Sequence, residues 1–294
     1  MATLRELKGR ISSVGSTEKI TGAMKMISSA KLHKAQAALQ RLVPYREQIQ
    51  TILLHLLSTD AEVSSELTQE REVKHITAIV MGSDDGLCGA FNIQILKHLL
   101  QSITQWRDSY GRDVAITLRP VGRKMIAATT KLAGDGITVE PATINTRSDI
   151  EAIRQFTAGI VESFEKGATD LVAAVYTRFY STSRQRPLTA TLLPVKVDSI
   201  VEGSDKLAAN RPYLFEPDAG TIFRTVLPQF VLSSMQEIHG QAGASEQAAR
   251  VMAMQSANDN AKDLLDELQL EYNKLRQQGI TTELLDILGG QKRE

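Results

Sequence analysis

Cysteine is almost missing from this 294-residue chain. Cys88 stands alone, which excludes an intrachain disulfide and fits a reducing compartment. Aromatic residues are scarce as well, at 5% with a single Trp106, so much of the buried surface is expected to be helix–helix seam rather than bulky globular core. Net charge is absent: 34 Lys/Arg offset 34 Asp/Glu, and the global balance gives no reason to invoke nucleic acid. No apolar run approaches the ~20 residues that span a bilayer, and the start, Met-Ala-Thr-Leu-Arg-Glu-Leu, has no signal-peptide apolar stretch. The expectation is a protein that is soluble or peripheral to something else. Proline is missing from both ends: all eight lie between Pro44 and Pro228. Both ends therefore permit long helices, while the middle is punctuated.

What is present at the ends is a narrow apolar pattern. Leu4, Leu7, Ile11 and Val14 step by three or four, and the stripe is read onward through Ile20, Met24, Ile27, Ala30, Ala38 and Leu42. That width suits a coiled-coil seam. Pro44 predicts a kink, after which Ile49, Ile52, Leu53, Leu56 and Leu57 resume the pattern. The C-terminal part behaves alike, through Ile238, Ala242, Ser245, Ala249 and Met252, then Ala261, Leu265, Leu268, Tyr272 and Leu275. Small seam residues allow close backbones, so the two ends are expected to pair as an antiparallel coiled coil. Charge agrees: residues 1–46 hold nine Lys/Arg against two acids, and residues 256–288 hold three against seven.

A first helix to about Leu57 and a second from near Thr221 to Leu288 would measure roughly 85 and 100 Å at ~1.5 Å per residue. The last turns of the second would then project alone, carrying Leu275, Ile280, Leu284, Leu285, Ile287 and Leu288. An apolar tip of that kind needs an enclosure from outside the chain.

Between the ends, strand-like and helix-like stretches alternate. His75–Met81, Val114–Gly122, Asp170–Phe179 and Pro187–Val197 read as strands, with Pro194 marking an edge or an end. Helices are expected near 91–106, 123–132 and 149–166. The rhythm predicts a small, largely parallel, Rossmann-like α/β domain. The expected division is a shaft helix over 1–58, the α/β domain over 73–201, a second shaft helix over 212–288, and a solvated tail over 289–294.

Chemistry is hard to find. "MGSDDGLCGAFN" (Met81–Asn92) sits at a strand–turn–helix junction where Gly82, Gly86 and Gly89 could turn backbone N–H groups toward a phosphate. It lacks the Lys-Ser/Thr ending of a P-loop, and Asp84 and Asp85 would repel phosphate. Cys88 has no base at a telling spacing, His75 and His98 being neighbours in sequence only. The five histidines (33, 55, 75, 98 and 239) show no metal-ligand spacing. Lys19, Lys25, Lys31 and Lys34 lack the interleaved aromatics of a nucleic-acid patch. Asp259, Asp263, Asp266 and Glu267 read as one solvated or partner-facing helix side.

Five blocks carry a resemblance: "KITGAMKMISSAKLHKAQ" (Lys19–Gln36), "SDDGLCGAFN" (Ser83–Asn92), "YLFEPD" (Tyr213–Asp218), "ASEQAARVMAMQSANDNA" (Ala244–Ala261) and "ELQLEYNKLRQQGITTELLDILGG" (Glu267–Gly290). In order and spacing they resemble the gamma subunit of F-type ATP synthases across essentially the whole chain. The resemblance implies the central rotor shaft of that complex, one copy in each. Its coiled coil enters a hexamer of α and β subunits, and its base meets the ε subunit and the c-ring. The shaft is peripheral to the membrane through the c-ring, on the cytoplasmic face of a bacterial inner membrane. It implies no catalytic site, cofactor or metal on this chain, and no nucleic acid. By position, Met24, Lys25, Leu275, Ile280, Leu284, Leu285 and Leu288 match rotor–stator contacts, and Tyr213 and Glu216 match contacts with the c-ring. Asp85 stands where many relatives carry a basic residue, and "GGQKRE" replaces a small apolar tail. Two other classes compete with a mechanical subunit: a nucleotide-binding enzyme using Gly82–Gly89, and a scaffold or nucleic-acid binder using the basic helix.

Overall fold

A computed structural model describes residues 3–57, 64–196 and 215–290. Five helices and five strands are named in chain order: α1 (Leu4–Leu57), β1 (His75–Met81), α2 (Phe91–Tyr110), β2 (Ala115–Val121), α3 (Arg123–Thr129), β3 (Ile137–Val139), α4 (Ile150–Glu165), β4 (Leu171–Ser181), β5 (Arg184–Leu193) and α5 (Ala219–Gly290). At 54 and 72 residues, α1 and α5 are about 81 and 108 Å long at 1.5 Å per residue.

Each long helix starts with a side-chain cap. In α1, the Thr3 N–H donates to Glu6 (2.8 Å) while the Glu6 N–H donates to Thr3 Oγ1 (3.3 Å), a reciprocal capping box. In α5, the Thr221 N–H donates to Asp218 (2.8 Å). Pro44 does not end α1, which is helical on both sides of it.

The two helices run antiparallel, because positions rising along α1 meet positions falling along α5. A Cβ at Gly15 would touch Leu265 and one at Gly22 would lie 3.3 Å from Asn258, while Leu39 lies against Gly240 and Arg46 pairs with Glu237. On α1 the positions turned inward are Leu7, Ile11, Val14, Glu18, Thr21, Lys25, Ser28, Leu32, Ala35, Leu39, Leu42, Arg46, Ile49, Leu53 and Leu56, each at least partly buried. They step 4-3-4-3 without a break over seven turns of the repeat, the period of a left-handed supercoil.

This corrects the expected stripe in its middle. Ile20 (59% exposed), Ile27 (57%), Ala30 and Ala38 lie off the seam, because the heptad positions there hold Glu18, Thr21, Lys25 and Ser28. Thr21 remains buried by donating its hydroxyl to the Thr17 carbonyl (3.0 Å). On α5, Met252 is likewise 46% exposed, while Met254, Asn258, Ala261 and Leu268 are buried. Asn258 donates to the Glu18 carbonyl (2.7 Å), a cross-helix bond in the thinnest part of the seam.

The sheet order is β3-β2-β1-β4-β5, parallel except for β5, which pairs antiparallel with β4. All of β1 beyond His75 is buried, as a central parallel strand requires. One face (Ile76, Ala78, Val80, Ile116, Leu118, Val175) packs on α2 through Phe91, Ile95, Leu99 and Ile103. The other (Ile79, Met81, Val121, Val172, Ala174, Tyr176) packs on α4, on the start of α5 through Phe223, Leu227 and Met235, and on the end of α1 through Ile49, Leu53 and Leu56. The strand β3 escapes sequence reading because it is three residues long beside Gly134, Asp135 and Gly136.

Candidate functional site

In an open α/β sheet a ligand usually binds outside the carboxyl ends of the strands, where the order switches direction. Here that point lies between β1 and β4. It is filled by α5. Ser245 donates to the Thr177 carbonyl (2.9 Å), and Gln241 accepts from the Phe179 N–H (2.9 Å). Ala253 lies 3.6 Å from where a Cβ on Gly89 would stand.

The glycine-rich loop is built to grip that helix. Arg250 is 6% exposed and donates to the carbonyls of Gly86 (3.2 Å) and Asp85 (3.3 Å), and to Glu246 (2.7 Å), itself 4% exposed. The loop thus offers carbonyl oxygens inward to a cation. Its base is tightly packed: a Cβ on Gly82 would stand 2.4 Å from Met125 Cβ, and one on Gly122, at φ +93°, would stand 2.8 Å from the Ser83 backbone. The Ser83 N–H donates to Asn92 (3.1 Å), and Asn92 donates to Ser83 Oγ (2.7 Å), with buried Cys88 beside them.

The two aspartates hold neighbouring segments. Asp84 accepts from the Thr146 hydroxyl (2.6 Å) and from the Arg123 N–H (3.2 Å). Burial pushes its carboxyl up, but these hydrogen bonds and the Arg123 charge outweigh it and hold the pKa below the usual carboxylate range. Asp85 pairs with Arg123 (2.9 Å) and with Arg147. For Glu246 the balance is reversed. Burial raises its pKa, Asp84 and Asp85 raise it further, and Arg250 offsets only part. Half-buried His239, bonded through Nε2 to the Asn145 carbonyl (2.9 Å), has its pKa lowered by burial.

Beside this clamp a cleft of about 600 Å³ separates α1 from the domain, lined by Met24, Ile27, Lys31, Leu87, Arg147 and Arg250 among others. Met24 and Lys25 are half-buried, Met24 in the cleft wall and Lys25 on the seam. Leu275 is half-buried on α5, whereas Ile280 (47%), Leu284 (55%), Leu285 (63%) and Ile287 (65%) are exposed. Continuing the register, Leu4 is level with about Arg276, so the turns after it extend past α1. Glu216 is exposed just ahead of α5, next to Phe215, which packs on the core. Tyr213 and the Leu288 side chain lie outside the described residues, as does the tail after Gly290.

The opposite charges at the two ends lie side by side, yet among the described residues the one ion pair joining α1 to α5 is Arg46–Glu237. Apart from that pair and the Asn258–Glu18 hydrogen bond, mostly apolar and small residues hold the seam. Among the described residues no cluster of three His, Cys, Asp or Glu side chains is placed to hold a metal ion, and no helix is long and apolar enough to cross a membrane. What sequence reading missed was the Arg250 clamp, whose partners are backbone carbonyls more than 160 residues away.

These features define a class: a two-helix shaft gripped by an α/β side domain, with an exposed apolar free end. The sequence profile of the ATP synthase family matches residues 3–292. The ATP synthase gamma chain of Bacteroides thetaiotaomicron is 38% identical and that of Phocaeicola vulgatus 40%, each alignment covering 99% of both chains. The gamma chain of Cupriavidus necator is 34% identical over 99% of both. Among solved structures, a rotor chain of the Euglena gracilis mitochondrial ATP synthase superimposes with a TM-score of 0.61 at 18% identity, covering 94% of this chain and 98% of that one. A central stalk/c-ring chain from Tetrahymena thermophila gives 0.59 at 21%, covering 81% and 99%. The chain belongs to the ATP synthase gamma-chain family.

Proposed function

We propose that this chain is the central rotor shaft of an F-type ATP synthase, coupling ion-driven rotation of a c-ring to ATP synthesis or hydrolysis at sites on β subunits, and carrying no catalytic site itself. The observation that supports this most is the free end of α5. Four large apolar side chains, Ile280, Leu284, Leu285 and Ile287, stand exposed beyond the reach of α1. Such surface suits a bearing inside an apolar collar of an α/β hexamer, with Leu275 and Leu288 as further contacts. Met24 and Lys25 on α1 are proposed to meet the stator lower on the shaft. Tyr213 and Glu216, ahead of α5, are proposed to meet the c-ring, with ε bound nearby. The location that follows is peripheral, on the cytoplasmic face of a bacterial inner membrane.

The physical mechanism is differential contact. A shaft with a side domain and an off-axis tip presents a different outline to each of three β subunits. A rotation then changes the relative stability of their states without any bond being made by the shaft. Small and apolar outer positions, such as Ala23, Ala30, Ile20 and Ile27, suit sliding, because a strong directional pair at one angle would trap the rotor there. The glycine-rich loop has its carboxyl-end crevice filled by α5, which argues against a nucleotide-binding enzyme.

The test is co-expression with α and β subunits. The expected result is one chain co-eluting with a hexamer whose ATPase becomes coupled to rotation of the shaft. A chain that remains alone, or that retains ATP in equilibrium dialysis with a stoichiometric site, overturns the reading.

A further inference from the structure

The hairpin joining β4 to β5 carries an arrangement that the shaft reading leaves unused. Arg178 and Arg186 are register partners, directly opposite one another, so both guanidinium groups emerge on one face. Like charges in that position oppose strand pairing. Arg178 and Arg184 also lie over the ring of Tyr180, at 5.6 and 5.4 Å from its centroid, and that ring is 49% exposed. All three arginines are exposed, and among the described residues none forms an ion pair with a carboxylate, although seven other arginines do.

The same face continues into a groove of about 430 Å³. Leu188, Leu192, Val195 and Phe230 give it an apolar floor, Arg178 stands at one side, and the only carboxylate among its described lining residues, Glu237, is already paired with Arg46. The hairpin is anchored behind: Phe179 packs against the α1–α5 seam near Leu32 and Leu39, and its N–H is held by Gln241. A rigid support thus presents three unpaired guanidinium groups, two of them oriented by an aromatic ring, next to an apolar trough. Arg and Tyr around an apolar centre is the composition of protein–protein interfaces.

We propose that this hairpin and groove form a docking surface for an acidic segment of another protein. Its carboxylates would pair with Arg178, Arg184 and Arg186, and its apolar side chains would enter the trough. Charge complementarity argues for that occupant: a carboxylate pairs bidentately with a guanidinium, and each one bound removes part of the Arg178–Arg186 repulsion. The apolar floor favours a peptide over a nucleic acid or a lipid surface. The proposal does not depend on the rotor reading.

The test uses Arg178→Lys, Arg184→Lys and Arg186→Lys, which keep the charge but supply a primary amine. Each tagged variant is isolated from its host cells with its associated subunits. It is treated with a carbodiimide, which leaves no spacer and so joins an amine to a carboxylate that touches it. The expected product, read by mass spectrometry, is a peptide linking the new lysine to an Asp or Glu of another protein, missing from the parent chain. Arg178→Glu/Arg186→Glu should lower recovery of that partner about tenfold, with circular dichroism unchanged. Links only within the chain, or none, overturn the proposal. So does binding to phosphatidylglycerol vesicles or duplex DNA at about 0.15 M salt that is lost in the Glu variants, since it assigns the arginines to another ligand. Co-elution with ATPase subunits reports on the rotor reading separately.

Discussion

At Glu246 and Arg250 two opposite charges are buried together, and the effect of removing either follows from what is left behind. Arg250→Ala strands a buried carboxylate and two loop carbonyls; the expected loss is about 3–5 kcal/mol, measured by urea unfolding of the full chain. Glu246→Gln should cost less and should also change the pH response. Because burial raises the Glu246 pKa in the folded chain, its contribution to stability is fully present below the unfolded value and lost as pH rises through the folded one. Stability of the Gln variant should therefore fall less than that of the parent as pH is raised from about 4 toward neutrality. An identical profile for the two would show that the carboxyl is not perturbed. Glycine contributes at the same scale: Gly122→Ala faces both a positive φ and a backbone contact, and should lower stability by about 2–4 kcal/mol, more than Gly240→Ala, which meets the movable end of Leu39.

Among the elements, the long helices were legible because proline spares both ends and the apolar steps are regular at their outer parts. The middle of the seam was not. Buried positions there hold Thr21, Ser28 and Asn258, while large apolar residues such as Ile20, Ile27 and Met26 face outward. Hydrophobic pattern alone therefore slips to the wrong face, and the continuous 4-3 repeat reveals itself only once polar members are admitted. The strands β1, β2, β4 and β5 announce themselves through β-branched runs; β3, at three residues, does not. The clamp between loop and shaft was invisible because a guanidinium bound to carbonyls leaves no spacing motif. Asn258 is the element-scale test. Asn258→Ala removes the bond to the Glu18 carbonyl where packing is thinnest, and about 1–2 kcal/mol of stability should go with it. Hydrogen exchange should quicken around residues 18–25 before it does in the outer seam.

On the scale of the whole molecule, stability and function are expected to separate along the shaft. Much of the α/β domain, the first third of α5 and the last turns of α1 share one core, so a lesion there should unfold the chain. The end of α5 differs, because beyond about Arg276 it leans on nothing among the described residues and Ile280, Leu284, Leu285 and Ile287 give their apolar area to water. Ending the chain after Arg276 should therefore leave the thermal midpoint within about 2 °C of the parent, since few native contacts are lost. If the tip is a bearing, the same truncation should reduce coupled turnover of the reconstituted complex severalfold, whereas deleting only Gln291–Glu294 should leave it intact. A truncated chain that melts many degrees lower would mean that the tip folds back onto its own protein, and the need for an outside socket would disappear with it.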